Sequence, residues 1–170
     1  LEIVYNVLTV LHNHYSVRKA INYFLNRMAV LLASDHILLA FPVIIDKLLE
    51  TMTHSDMTDF TLLLHQLVQT HPGVLIEVLN DKFDAIFAKF TQTLSVQVSL
   101  KSDEEVEYNE IRRLIFTFFQ TLVHSSMLPI LNSNKNIGNL ENVFSLLLSG
   151  FGCGDASVEK SSYIAFTGMV

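Results

Sequence analysis

Cysteine and charge are both scarce in this sequence, and each shortage excludes something. A single cysteine, Cys153, leaves no disulfide framework and suits a reducing compartment. Lysine and arginine number 11 against 17 acidic residues, for a formal net charge of −6. That balance argues against a general nucleic-acid binder, so any RNA contact has to come from a local patch. No basic n-region leads into an apolar stretch and cleavage site. The longest apolar run, Ile37 to Ile45, is too short to span a bilayer and contains Pro42. The expectation is a soluble chain of the nucleus or cytosol, with no membrane contact.

Catalytic signatures are missing as well. Gly150-x-Gly152-x-Gly154 has the look of a phosphate loop, but it follows a helical pattern and lacks the Lys-Ser/Thr pair, so a helix-ending turn explains it. No Gly-x-Ser-x-Gly element is present. None of the seven histidines pairs at i,i+3 or i,i+4. His12 and His14 point apart on a helix, and a helix end separates His65 from His71. Cys153 has no histidine or other base near it in sequence and reads as an inert small residue. Carboxylates abound, but helix caps account for them and no catalytic pair stands out. The chain reads as a non-enzyme without metal, cofactor or small-molecule substrate.

What the sequence has is apolar material in helical register. Half of the 170 residues are hydrophobic and 16% are charged, ample for a core. The length suits one domain or about four repeats of ~40–47 residues. The apolar spacing predicts helices over Leu1 to Tyr15 and Val17 to Ala33, with Arg18, Lys19 and Arg27 off the apolar stripe and solvated. Ser34 is the expected N-cap of a helix reaching about Thr53, with Pro42 either kinking it or marking a helix–loop boundary. Ser55 or Asp56 should cap its partner, which ends at Thr70 because His71 precedes Pro72. Pro72 then starts a helix that keeps one apolar face for some twenty residues, to Leu94, and that Asn80-Asp81 could divide.

Ser95 to Leu100 alternates like a strand but has no second strand to pair with, so it reads as a loop. Ser102-x-x-Glu105 is a capping box opening a helix to His124. Ser125 to Gly138 is a break, with Pro129 and an Asn-rich turn. Asn139 caps a stripe from Leu140 to Phe151. Asp155 opens the last helix, with Tyr163, Phe166 and Val170 expected to face inward.

About eight helices in antiparallel pairs, joined mostly by short turns, define an all-α superhelix of HEAT-type repeats. The approximate hairpins are 1–33, 34–71, 72–126 and 137–170. The start at Leu1 and the stop at Val170 inside an apolar pattern lead us to expect a segment of a longer solenoid.

The block Glu110 to Met127 (EIRRLIFTFFQTLVHSSM), then NLENVFSLLLSG from Asn139 to Gly150, then DASVEKSSYIAF from Asp155 follow one another in order. Together with the helix Ile37 to Leu49 they resemble the C-terminal half of the exportin-T family, tRNA-export receptors of the importin-β superfamily. The similarity covers Ser34 to Val170 and rests on the ordered series of repeats. It implies a nuclear export receptor that binds mature tRNA together with Ran-GTP and carries it to the cytoplasm. GTP would be held only by Ran, and nuclear pore proteins would be further partners.

In such a receptor the second helix of each repeat lines the inner surface, which here means Asp56–Thr70, Glu104–His124 and Asp155–Val170. Recognition by shape and phosphate contact then implies Arg112, Arg113, Gln120, His124 and Lys160, with Lys101 and Lys135 in adjacent loops. The Arg113-Thr117-Gln120-His124 stripe is the leading candidate, because polar positions at helical spacing interrupt an otherwise apolar helix. The acidic cluster Asp103–Glu110 reads as helix-start charges, or as a patch that repels RNA or meets a basic partner such as Ran. A rival from another class is a HEAT scaffold that organises protein partners, of phosphatase or coat type, which the acidic composition favours.

Overall fold

A computed structural model describes residues 2–95 and 102–170, with the side chains of the later stretch described from Glu104. Among the described residues there are eight α-helices and no strand. They are α1 Glu2–Leu11, α2 Tyr15–Leu31, α3 Ser34–Thr51, α4 Met57–Thr70, α5 Pro72–Leu94, α6 Ser102–His124, α7 Leu140–Ser149 and α8 Ala156–Met169. Of the expected loop Ser95 to Leu100, residues 96–100 lie outside the described residues, as do Lys101 and the Ser102 side chain of the expected capping box.

Helices α1 to α4 and α6 each pack on the helix two places further along the chain, whereas α7 packs on α8. The series α1, α3, α5 makes a first layer, which the 3-10 turn Leu128–Ile130 continues against α5. The series α2, α4, α6, α8 makes a second layer, with α6 against α8 the most extensive approach. Contacts along the chain, as between α1 and α2 or α7 and α8, tie the layers together. This is side-by-side stacking, with the core running as a seam between the layers.

Large apolar side chains fill that seam: Phe41 and Ile45 from α3, Phe60 and Leu64 from α4, Phe83 and Phe90 from α5, Phe118 and Phe119 from α6. Phe118 is edge-on to Phe90 and to Phe119, and the His65 ring stacks on it at 6.0 Å. Each such aromatic pair adds about 0.5–1.5 kcal/mol beyond its buried area.

Several local expectations hold. The chain turns at His71 between α4 and α5, with Pro72 first in α5. The Asp155 carboxylate caps α8, accepting from the amides of Ser157 and Val158.

Others are corrected by tertiary partners. Ser34 does not cap α3, because Ala33 occupies that position and the Ser34 hydroxyl instead meets His71 Nδ1 at 3.2 Å. Neither Ser55 nor Asp56 caps α4 with its side chain. Thr53 forms a capping box with Asp56 around the 3-10 turn His54–Asp56, and Asp56 is buried. Pro42 lies inside α3, which removes the helix–loop boundary as its reading, and α5 runs unbroken through Asn80 and Asp81. Asn139 makes no cap bond, since its side-chain amide donates to Asp84. Arg18 is not solvated; it is 5% exposed.

The inward face of α8 is also different from the one expected. Tyr163 and Val170 are exposed, while Phe166 packs half-buried against Phe144 and Phe151. Val158, Ser161, Ser162 and Ala165 are the buried residues. Their small side chains let α8 lie close on α6, where a Cβ added to Gly168 would stand 2.4 Å from Val123 Cγ1. Hydrophobicity alone picks out Phe and Tyr as the inward residues, but a close helix crossing selects small ones.

Candidate nucleic-acid interface

The second layer presents the solvent-facing sides of α2, α4, α6 and α8 on one wall of the molecule, and most of the anticipated contact residues belong to it. On α6, Arg113 and His124 are exposed and Thr117 and Gln120 half-buried, at spacings of three and four that keep them on one stripe. Gln120 Nε2 and His124 Nε2 lie 3.3 Å apart, so one amide–imidazole hydrogen bond orients both. Thr117 turns its hydroxyl back to the Arg113 carbonyl at 2.8 Å and also faces Ser161 of α8 at 3.5 Å. Lys160 stands exposed on α8.

Arg113 is not an isolated cation. Its Nε donates to Asp155 Oδ2 at 2.7 Å, joining the middle of α6 to the start of α8. Burial acts to raise the Asp155 carboxyl, but the Arg113 guanidinium and the two cap amides together outweigh it and hold it below the usual carboxylate range. The arginine side chain is still 53% exposed. Its remaining donors can therefore meet a phosphate while Nε stays on Asp155.

The structure separates the other candidates from this stripe. Arg112, next in the chain, turns about 100° round α6. It reaches the Ser149 carbonyl at the end of α7, with its guanidinium over the Phe116 ring. Lys135 lies in the connection before α7 and pairs with Asp81 of α5, against the first layer. Lys101 lies outside the described residues. The acidic residues Glu104, Glu105, Glu107 and Glu110 are all exposed along the first turns of α6.

A groove of about 620 Å³ opens between α5, α6 and α7, lined by Phe87, Thr91, Tyr108, Phe116, Leu146 and Ser149 among others. Asp84 is its one titratable lining carboxylate among the described residues, and Tyr108 is occupied with the Leu94 carbonyl at 3.0 Å. No group of three or more metal-ligating side chains forms among the described residues. No described helix is long and apolar enough to cross a membrane.

Sequence reasoning missed two other features of the second layer. Tyr15, Lys19, Tyr23 and Arg27 of α2 form a stripe of alternating rings and cations. The signal for it, four residues at steps of four, was legible, but those cations read as ordinary solvated charge. Arg18 could not have been assigned from spacing, because its partner lies 38 residues away.

Two layers of helices, stacked side by side about a shared apolar seam, define an α-solenoid of HEAT type. Its family follows from comparison: the Exportin-T family model matches residues 1–170, and the chain belongs to that family. It is similar to Exportin-T of Mycosarcoma maydis, with 24% identity over 122 residues, 72% of this chain. The match spans 11% of the length of that relative.

Proposed function

We propose that this chain forms part of the cargo-binding wall of a nuclear export receptor for tRNA, which binds its cargo together with Ran-GTP and moves between nucleus and cytoplasm. GTP is held by Ran, this chain takes no cofactor or small-molecule substrate, and nuclear pore proteins are partners of the whole receptor. Membership in the exportin-T family supports this reading. It is supported further by the polar stripe Arg113-Thr117-Gln120-His124 on α6, with Lys160 exposed on α8 in the same layer. Such a wall suits a folded RNA read by shape and phosphate, since it offers cations and hydrogen-bonding groups without a base code.

The scaffold alternative is favoured by the net charge of −6 and by the pairing of Arg113 with Asp155. The two separate in the full-length receptor, where tRNA binding is followed by fluorescence anisotropy against salt, with and without Ran-GTP. Export function requires affinity that depends on Ran-GTP and falls with salt. Arg113→Gln should lower the slope of log K against log salt by about 0.7–0.9, one phosphate's worth. Lys135→Gln, in the other layer, should leave it unchanged. A receptor that binds no tRNA under either condition is a scaffold.

A further inference from the structure

The exposed stripe of α2 is chemically unlike the rest of this acidic chain. Tyr15, Lys19, Tyr23 and Arg27 recur every four residues and so lie along one side of the helix. Helix α2 contains no carboxylate at all. The Arg27 guanidinium sits 5.4 Å from the Tyr23 ring centre and reaches its hydroxyl at 3.4 Å, while Lys19 Nζ stands 5.9 Å from the Tyr15 ring centre, a ring it shares with the buried Arg18. Neither Lys19 nor Arg27 has an ion-pair partner among the described residues, unlike Arg18, Arg113, Lys47, Lys82 and Lys135. The nearest opposing charge on the adjacent helix is Asp59 of α4, itself half-buried. Tyr23 is 64% exposed, a large ring left in water on a helix whose other face supplies the core.

We propose that this stripe is a second RNA contact on the same wall, in which Lys19 and Arg27 each take a phosphate and Tyr23, between them, stacks an unpaired base. It rests on the tRNA reading above and adds a position and a chemistry to it. The two cations are eight residues apart, about 12 Å along the helix axis, so each can hold its own phosphate. A cation over one face of Tyr23 leaves the other face for a base, the combination that single-stranded nucleic acid requires. Charge complementarity selects a polyanion here, and the ring selects one with bases over a plain acidic surface.

The test uses the full-length receptor with Ran-GTP and labelled tRNA, measured by anisotropy across a salt series. Lys19→Gln with Arg27→Gln should lower the salt slope by about 1.4–1.8. Tyr23→Leu should weaken binding about fivefold or more with little change in slope. Lys47→Gln with Lys82→Gln, in the first layer, is the charge-matched control and should bind as the parent. All substituted side chains lie outside the core, and circular dichroism checks that each variant keeps its helices. Parent-like tRNA binding by both stripe variants overturns the proposal while leaving the export reading standing. Weakened Ran-GTP binding measured without tRNA, with the salt slope for tRNA unchanged, assigns the stripe to a protein partner and also overturns it. A parent receptor that binds no tRNA removes both.

Discussion

Arg18 of α2 and Asp56 before α4 meet inside the molecule, Nε to Oδ2 at 2.9 Å, with side chains 6% and 3% exposed. The guanidinium also reaches the His12 carbonyl and Thr53 Oγ1, so one side chain ties the α1–α2 turn to the α3–α4 turn. Asp56 Oδ2 further accepts from the Thr53 amide and hydroxyl, while Oδ1 meets no protein donor. The pair holds the first hairpin to the second by directional bonds at the ends of helices whose middles are apolar.

Removing one member of this pair strands the other in a buried site. Arg18→Met is expected to cost about 3–5 kcal/mol in chemical denaturation. Arg18→Met combined with Asp56→Leu should recover most of that loss, since an apolar pair avoids the desolvation of two charges. A double variant no more stable than the single one would show that the pair is needed for the turn itself.

The α6–α8 crossing gives a test of close approach. Gly168→Ala places a Cβ 2.4 Å from Val123 Cγ1, so overpacking of about 1–3 kcal/mol opposes the helix-propensity gain of about 1 kcal/mol. In a Val123→Ala background the clash is gone, and Gly168→Ala should stabilise. At the end of α7, a Cβ on Gly150 would meet Ser162 Oγ at 1.9 Å and Phe116 Cε1 at 2.7 Å, so Gly150→Ala is expected to destabilise. Thermal melts of the four variants give the signs directly.

His65 should make stability depend on pH just below neutrality. Burial against α6 lowers its pKa, only partly countered by its bond to the Leu114 carbonyl at 3.1 Å. A base whose folded pKa is depressed takes up its proton more readily when unfolded. Its contribution is therefore complete above the ordinary histidine pKa of about 6.5 and is lost as pH falls below it. Stability measured from pH 7.5 to pH 5 should decline in the parent and decline less in His65→Gln.

Asp155 supplies two functions that a single substitution can part. Asn caps a helix about as well as Asp, so Asp155→Asn should keep α8 in place while removing the charge that engages Arg113. RNA affinity of the full receptor is then expected to rise, with thermal stability changed by less than about 1 kcal/mol. Reduced affinity would mean that Asp155 orients Arg113 for its phosphate.

Much of the architecture was legible because it rests on short-range rules. Apolar residues at steps of three and four marked the helices, His71-Pro72 marked a turn, and Asp155 marked a helix start. Several misplaced polar residues share one cause, which is competition from distant partners. Ser34 has a cap residue's hydroxyl, but His71, 37 residues on, takes it. Asn136 looked like part of a polar turn, yet it is 1% exposed and donates to Asn80 and to the Ile130 carbonyl. That small polar anchor seats the connection before α7 on the first layer, and nothing in its neighbourhood along the chain announces it.

The sequence by itself determined that this protein is a row of helical hairpins, because amphipathic periodicity and turn chemistry act within a few residues. The tertiary structure alone decided which polar groups are internal and where the inward face of a helix departs from its apolar stripe. Arg18 is a core residue, Tyr23 an exposed ring and Ser162 a buried one, since those assignments depend on what the neighbouring helix brings to the same place.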